Sequence, residues 1–421
     1  MNKFIIAAVA GMLLAACSGG DGSQTATGTV DIAAAMKNPG ELTTSQLGSK
    51  ISFVPLETND SSLIHAQWNA AVVNNSLIVS NIGWFGNTLG DISALVFDIP
   101  TGKFLRSLGQ PGSGPEDFSA GSTTVVANSD KVYFIAGNGN GWIGYSLDGK
   151  FAGRILPEIK PKETNLLICG DGDTTVCFIE NNIRDSFREL VFRIYGNSGH
   201  MIDSCVVFKG QPVENPENPF DNVILFNNHL DPFPKLRQGI QEVQKPSSSY
   251  IIPRVYAYEM NNEIHFHETM CDTIFRLTPD GAEPVLTFGF GVNRFPFNNL
   301  NKRLPDKNEL FVTKILESPQ KALFSFSEGW LGDKSHKEYI GIYDRKSGKT
   351  IVADAKNGIR DDLGGFMPFN PVTTTADGKW IGILTMEQID EWLDENPEVN
   401  RPDWLANSTA EDNPVLVIIS D

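Results

Sequence analysis

The sequence lacks most of the signatures that would assign it a chemistry. Its apolar run from Phe4 to Ala16, interrupted only by Gly11, falls short of the roughly 20 residues a helix needs to cross hydrocarbon. Basic residues are in the minority: 34 Lys and Arg stand against 51 Asp and Glu, for a formal net charge of −17. A polyanionic partner needs a basic footprint, so nucleic acid is excluded as the expected ligand, and the acidity reads as solubility. There are 6 histidines and 5 cysteines, and no Cys-x-x-Cys spacing of a redox or zinc site. No Gly-x-Ser-x-Gly elbow occurs, and the aspartate box of sialidases is missing. In Ser146-Leu-Asp148-Gly149 the glycine comes one position early and no tryptophan follows. No cofactor, metal ion or catalytic residue is therefore expected from motifs.

What is present begins at the N-terminus. Lys3 precedes the apolar run, and Leu14-Ala15-Ala16-Cys17 ends it. This pattern reads as a signal peptide over residues 1–16, and the four residues resemble the lipobox of bacterial lipoproteins. The resemblance implies that Cys17 receives a diacylglyceryl group and becomes the first residue of the mature chain. Several acyl chains suffice for stable anchoring, so the membrane is an expected partner through the lipid on Cys17. Ser18 stands where enteric lipoproteins kept at the inner membrane carry aspartate, which implies the outer membrane. Its periplasmic and surface-facing sides stay open, since Asp21 stands alone where surface-exported relatives carry an acidic run. Ser18-Gly-Gly-Asp-Gly-Ser23 opens a flexible linker over residues 17–45, and residues 46–421 form the folded domain. An envelope location permits disulfides. Cys169, Cys177, Cys205 and Cys271 allow three full pairings, with buried free thiols or one bridge expected.

Through that domain runs a repeat of strand, glycine turn and strand. Its clearest copies are Leu95-Val-Phe-Asp-Ile-Pro-Thr-Gly-Lys-Phe-Leu105 and Ile143-Gly-Tyr-Ser-Leu-Asp-Gly-Lys-Phe-Ala152, whose Gly102 and Gly149 lie about 47 residues apart. Weaker copies centre on Gly199, Gly281, Gly348 and Gly378. Each turn supplies a residue able to take positive φ in a tight hairpin. Apolar alternations between copies, such as Val72 to Val79 and Arg254 to His267, read as the other strands. A four-stranded unit of this length cannot bury both of its faces alone, whereas radial stacking buries them and leaves only short edges. Six copies predict an all-β, six-bladed β-propeller with four-stranded blades, inserted loops and one short C-terminal helix over Met386 to Leu393. The last strand, Pro414 to Ile419, is expected to pair with Lys50 to Leu56 and close the ring. Lys209 to Ser249 and Phe290 to Pro319 break the period and read as long loops.

Four segments carry a family resemblance: Ile51-Ser-Phe-Val-Pro-Leu-Glu-Thr-Asn-Asp-Ser-Ser-Leu-Ile64, Gly109-Gln-Pro-Gly-Ser-Gly-Pro-Glu-Asp-Phe118, Cys271-Asp-Thr-Ile-Phe-Arg276 and Asn413-Pro-Val-Leu-Val-Ile418. Together they resemble six-bladed propeller lipoproteins of Gram-negative anaerobes, a family of unknown function related in shape to NHL-repeat propellers. The chain departs from that pattern at Gly114-Pro115-Glu116-Asp117-Phe118, where relatives tend to have Gly-Pro-Gly-Glu-Tyr.

Candidate site residues are few. Gly109-x-x-Gly112-x-Gly114 is glycine-rich but lacks the Lys-Ser/Thr of a phosphate loop, and reads as a turn between blades. Glu263, His265 and His267 alternate along one strand and share a face; no third partner stands near them in sequence, and a plain strand face is the reading adopted. Cys169-Gly-Asp-Gly-Asp173 lacks the spacing of a calcium loop and reads as a hairpin turn. Asp344, Asp354, Asp361 and Asp362 are carboxylates of the kind a glycosidase uses, at a separation only a structure fixes. The binding candidates are the loop aromatics Trp84, Phe85, Trp142 and Trp330, whose flanking glycines suggest turns. Such rings stack on a sugar, anchor a peptide, or plug the gaps between blades. The expected function is a lipid-anchored, non-catalytic binding or scaffold protein of the cell envelope with an envelope protein, peptide or glycan as ligand. The alternative is a propeller-type hydrolase or lyase with a metal or carboxylate site in the axial channel.

Overall fold

The computed structural model of the chain describes residues 28–65, 68–81, 93–119, 126–127, 131–155, 164–169, 174–181, 189–196, 200–209, 222–226, 238–242, 251–252, 255–261, 263–268, 270–278, 281–296, 305–330 and 334–421. Cys17, Trp84, Phe85 and Gly199 lie outside the described residues.

The described strands form antiparallel meanders arranged as a β-propeller. Trp68–Val73, Ser76–Asn81, Ala94–Asp98 and Phe104–Ser107 make one four-stranded sheet. Val126–Ala127, Lys131–Ile135, Trp142–Ser146 and Phe151–Ile155 make the next, followed by Thr164–Cys169, Thr174–Asn181, Glu189–Gly196 and Met201–Lys209. After them come the meander Val255–Met260, Glu263–Glu268, Thr273–Thr278 and Gly281–Gly289, and the sheet of Leu310–Glu317, Lys321–Glu328, Lys337–Asp344 and Thr350–Asp354. The closing sheet runs Pro371–Thr374, Trp380–Leu384, Val415–Ser420 and Lys50–Pro55. Five sheets are thus four-stranded, rather than the six expected, because Thr29–Asp31 adds in parallel to Gly281–Gly289 and makes that meander five-stranded.

First strands of neighbouring sheets meet in turn. Trp68–Val73 touches Val126–Ala127, which touches Thr164–Cys169, which touches Val255–Met260. Leu310–Glu317 touches Pro371–Thr374, which returns to Trp68–Val73. The 310–354 sheet packs against apolar clusters on both of its faces, which explains why Lys321–Glu328 is buried at six consecutive positions instead of alternating. The core lies between sheets: Phe288 meets Phe324 with ring centroids 5.1 Å apart, and Leu77, Phe97 and Leu95 pack with Ile381, Ile383 and Leu416.

Closure joins the chain's two ends, as expected for Pro414 to Ile419. Val415–Ser420 pairs on one side with Trp380–Leu384 and on the other with Lys50–Pro55, Ile51 opposite Ile419 and Pro55 opposite Val415. One part of the repeat differs in phase. The turns at Gly102, Gly149 and Gly348 join third to fourth strands and Gly281 opens a fourth strand, whereas Gly378 joins the first and second strands of the closing sheet. No hairpin can join the third and fourth strands there, since they come from opposite ends of the chain. Gly102 shows why its turn requires glycine: φ is +69°, and a Cβ would collide with the carbonyl oxygen of Pro55 in the closing strand.

Three sequence readings need correction. Residues 28–45 fall within the expected linker, yet they form Thr29–Asp31, a short helix Ile32–Ala35 and Leu42–Thr43, which pairs with Ile359–Arg360. This strap holds because Val30 and Ile32 are fully buried beside Leu286, Phe288 and Val352. Phe290 to Pro319 contains the first strand Leu310–Glu317, buried at seven of its positions. Lys209 to Ser249 contributes Asn222–Phe226 and Gln238–Glu242, which with Ile251–Ile252 form a separate three-stranded sheet. The helix over Met386–Glu395 is present, with a capping box between Thr385 and Gln388, and its Ile389 is buried. Among the cysteines, Cys205 and Cys271 are free thiols. Register sets Cys169 opposite Thr174 and Cys177 opposite Leu166, so neither lies across from another cysteine.

Candidate functional site

A polar cluster sits where the 255–289 and 310–354 sheets meet, beside the turns joining their first and second strands. Cross-strand register lines up Tyr258, His265, Arg276 and Glu283 in one row, because each directly opposes the next across the meander. Glu317 faces that row from the end of Leu310–Glu317, with a side chain that is 0% exposed. A buried carboxylate needs full compensation, and this one receives it. Tyr258 Oη donates to Glu317 Oε2 at 2.5 Å, and His265 Nδ1 approaches the same oxygen at 2.9 Å. Because the carboxylate can only accept, His265 carries its proton on Nδ1. Arg345, just beyond the third strand, pairs with Glu317 Oε1. The Glu317 backbone carbonyl accepts from Thr374 Oγ1 of the closing sheet at 2.8 Å.

An ion-pair chain extends outward from this centre. Glu263 Oε2 lies 3.8 Å from His265 Nε2, and Arg276 pairs with Glu263 at 2.8 Å and Glu283 at 2.7 Å. Burial lowers the His265 imidazole below its usual range, and the Arg345 charge lowers it further. Burial likewise lowers Arg345 and raises the Tyr258 phenol. Burial thus favours the neutral forms of His265 and Tyr258 beside the Arg345–Glu317 pair. Chemically the cluster can accept or release a proton at His265 and offer the part-exposed Arg345, whose side chain is 28% exposed.

Glu317, Arg345 and Tyr258 carry no sequence motif and escaped the sequence reading; the one available signal was the apolar run Leu310-Phe-Val-Thr-Lys-Ile-Leu316, which marks a strand ending at Glu317. Of the residues singled out in sequence, only His265 and Glu263 join the cluster. His267 shares their face but points elsewhere: its Nε2 donates to the Cys271 carbonyl at 2.9 Å, and Nδ1 is buried with no partner. Among the described residues no group of three His, Cys, Asp or Glu side chains could hold a metal ion.

The four aspartates do not converge. Asp361 is buried and accepts from the backbone N–H groups of Leu363, Gly364 and Phe366 and from Thr44 Oγ1. Asp362 accepts from Thr44 Oγ1, Ser45 N and Ser45 Oγ, so both hold the strap. Partial burial raises the Asp362 carboxyl, but those donors outweigh it and bring it down to about 2. Asp344 accepts from Ser347 in its turn, and Asp354 caps the turn Ala355–Asn357. Trp142 is 1% exposed, so its ring offers no face to a ligand and the gap-filling role applies. Trp330 is half-buried and tilts toward Phe311 at 6.2 Å.

Residues 27–420 match the family described as a domain of unknown function, DUF4934. The chain belongs to that family. No curated protein matches it. Among solved structures it is similar to a candidate exported protein from Bacteroides fragilis, at 18% identity and a TM-score of 0.59, covering 90% of this chain and 97% of that one. A member of the DUF4221 family from Bacteroides vulgatus aligns at 10% identity and a TM-score of 0.40, covering 90% and 97%. The first likeness supports the propeller fold.

Within this DUF4934 chain the segments that carried the sequence resemblance turn out to be joints. Buried Asn413 receives the Ile64 N–H at 2.8 Å and donates to the carbonyls of Glu57 and Ser62 at 2.8 and 2.7 Å, pinning the first motif to the last. In the Gly109 to Phe118 loop, Asp117 accepts from Gly114 N at 2.7 Å and Gln110 Nε2 at 2.9 Å, while Tyr145 donates to the Glu116 carbonyl. That loop is a structural link between two sheets. Cys271 supplies the carbonyl that His267 uses, and Asp272 pairs with Arg294.

Proposed function

We propose that this chain is an exported, lipid-anchored, six-bladed propeller that serves the cell envelope as a non-catalytic binding or scaffold protein. The reading rests chiefly on one observation: the polar groups a catalyst would use are engaged in joining sheets. Glu317 is saturated by Tyr258, His265 and Arg345, and Asp361 by Thr44 and backbone N–H groups. Counting the meander that Thr29–Asp31 extends as a blade, the first-strand contacts together with the Tyr258 to Glu317 bond support a ring of six. Export is supported by the leader over residues 1–16, and anchoring at the outer membrane by Leu14-Ala15-Ala16-Cys17 followed by Ser18. The Bacteroides fragilis neighbour is consistent with the same compartment. Ligand contact falls to half-buried Trp330 and to Trp84 and Phe85, with a glycan or peptide as the fitting class.

Two measurements test this. Replacing Cys17→Ala should leave an unprocessed precursor and abolish labelling by a fatty-acid probe; unchanged labelling rules out the anchor. A panel of glycans and peptides should raise the melting temperature of the wild-type chain without being consumed, and less so after Trp330→Ala. Turnover of a panel member that disappears in Glu317→Gln would favour the hydrolase or lyase reading instead.

A further inference from the structure

The outer rims of the sheets are not alike. Three outer strands are covered: Gly281–Gly289 by Thr29–Asp31, Thr350–Asp354 by the helix Ile32–Ala35 and by Leu42–Thr43, and Lys50–Pro55 by the turn Asp403–Leu405, whose Trp404 stacks on Phe53 at 4.7 Å. The outer strands Phe104–Ser107, Phe151–Ile155 and Met201–Lys209 end their sheets with no further strand among the described residues. They also carry five of the seven large hydrophobic side chains that the described residues expose: Leu105, Phe151, Met201, Ile202 and Val206. Three of these crowd onto Met201–Lys209, where Met201, Ile202 and Val206 are 54%, 46% and 49% exposed. An apolar cluster on an unpaired edge favours self-association unless something covers it. We propose that the cover is the bilayer surface: the ring rests on it through Met201–Lys209, with Met201, Ile202 and Val206 entering the headgroup layer. This contact presupposes the lipid anchor at Cys17 and the ring of six proposed above.

The position of the tether and the distribution of charge both favour a membrane as the occupant. Thr29–Asp31, where the anchored end joins the fold, lies on Gly281–Gly289, and that strand touches Met201–Lys209. Ten residues separate Cys17 from Gly28, an extended reach of at most about 40 Å, so the lipid is held on this side of the ring. Charge is arranged to match. Residues 386–412 hold nine Asp and Glu against Arg401 alone, and they sit on the rim of the closing sheet. In a ring of six the closing sheet stands opposite the 164–209 sheet. Resting on Met201–Lys209 therefore turns the acidic pole away from the lipid phosphates, where its repulsion is weakest. The apolar contact adds a second hold to that of the acyl chains, and it fixes which side of the ring faces away from the membrane. Because a flat surface meets a ring only at neighbouring rims, Leu105 of the 68–107 sheet stays clear of it.

The lipidated full chain in vesicles of phosphatidylethanolamine and phosphatidylglycerol, doped with a phospholipid carrying a photoactivatable diazirine near its headgroup, reads the contact directly. After irradiation, peptides covering 200–209 should carry at least about fivefold more lipid adduct than those covering 104–107 or 386–395. Ile202→Asp combined with Val206→Asp, both at exposed positions, should cut that adduct at least about fivefold while fatty-acid labelling of Cys17 stays the same. Leu105→Asp should leave it unchanged. A labelled Cys17 with adducts spread evenly over the ring, or centred on another rim, overturns the contact and leaves the anchor standing. A wild-type chain without the fatty-acid label overturns both. Crosslinks from 200–209 to protein in intact envelopes, without lipid adducts in vesicles, would make this rim a protein-docking edge and overturn the membrane contact. Should the double variant lose its cooperative melt, the wild-type adduct map alone decides.

Discussion

Single residues in this chain act mainly by where they leave hydrogen bonds unmade. Asn413 illustrates it, since its amide satisfies one buried N–H and two carbonyls in the 57–64 loop. Asn413→Ala should cost about 2–4 kcal/mol, read as a lower denaturation midpoint with an unchanged slope. His267 carries the clearest pH prediction. Its Nε2–H already donates to Cys271, so an added proton would sit on Nδ1 as a buried donor with no acceptor. Burial accordingly lowers its folded value to about 4, against 6.5 for an exposed imidazole. Because the folded value is the lower one, stability is complete above pH 6.5 and falls as pH drops from there toward 4. The full loss amounts to about 3 kcal/mol. His267→Gln should flatten chemical-denaturation midpoints over that window; the same slope with pH in variant and wild type would count against the assignment. Neither effect was legible in the sequence. A histidine beside a histidine two positions on looks alike whether its partner is a metal, a carboxylate or a carbonyl.

At the scale of elements, the C-terminal strand bears most on the fold. Val415, Leu416 and Ile419 are fully buried, and the strand lies third of four, hydrogen-bonded on both sides. Removing Asn413 to Asp421 should cost several kcal/mol in buried apolar surface and leave Trp380–Leu384 and Lys50–Pro55 with free edges. The truncated chain should lose its cooperative melt and aggregate; a melting temperature equal to the intact chain would mean that the strand is peripheral. Sequence pattern was sufficient to find this strand, because an apolar run at a chain end without a hairpin partner must pair with something distant. It was insufficient for Leu310–Glu317, which stood in a segment broken by proline and asparagine. It also missed Thr29–Asp31, whose three residues are too few to show a period. That short strand is held by tertiary burial of Val30, which the polar run preceding it conceals.

For the molecule as a whole, the sequence by itself determined a β architecture of repeated hairpins, the glycines at its turns and the junction of its two ends. These follow from local rules: alternation, positive φ at tight turns, and the need to cover both faces of every sheet. Chain composition also set the acidity that disfavours polyanions. Only the tertiary structure decided which polar residues meet. Tyr258, His265, Glu317 and Arg345 lie on three strands and one turn of two sheets, and nothing in their spacing marks them. It also decided that Asp361 and Asp362 hold the N-terminal strap and that Trp142 fills the core. The physical reason is that sheet register and sheet packing, which choose long-range neighbours, depend on the summed burial of whole faces. No single residue's chemistry specifies them.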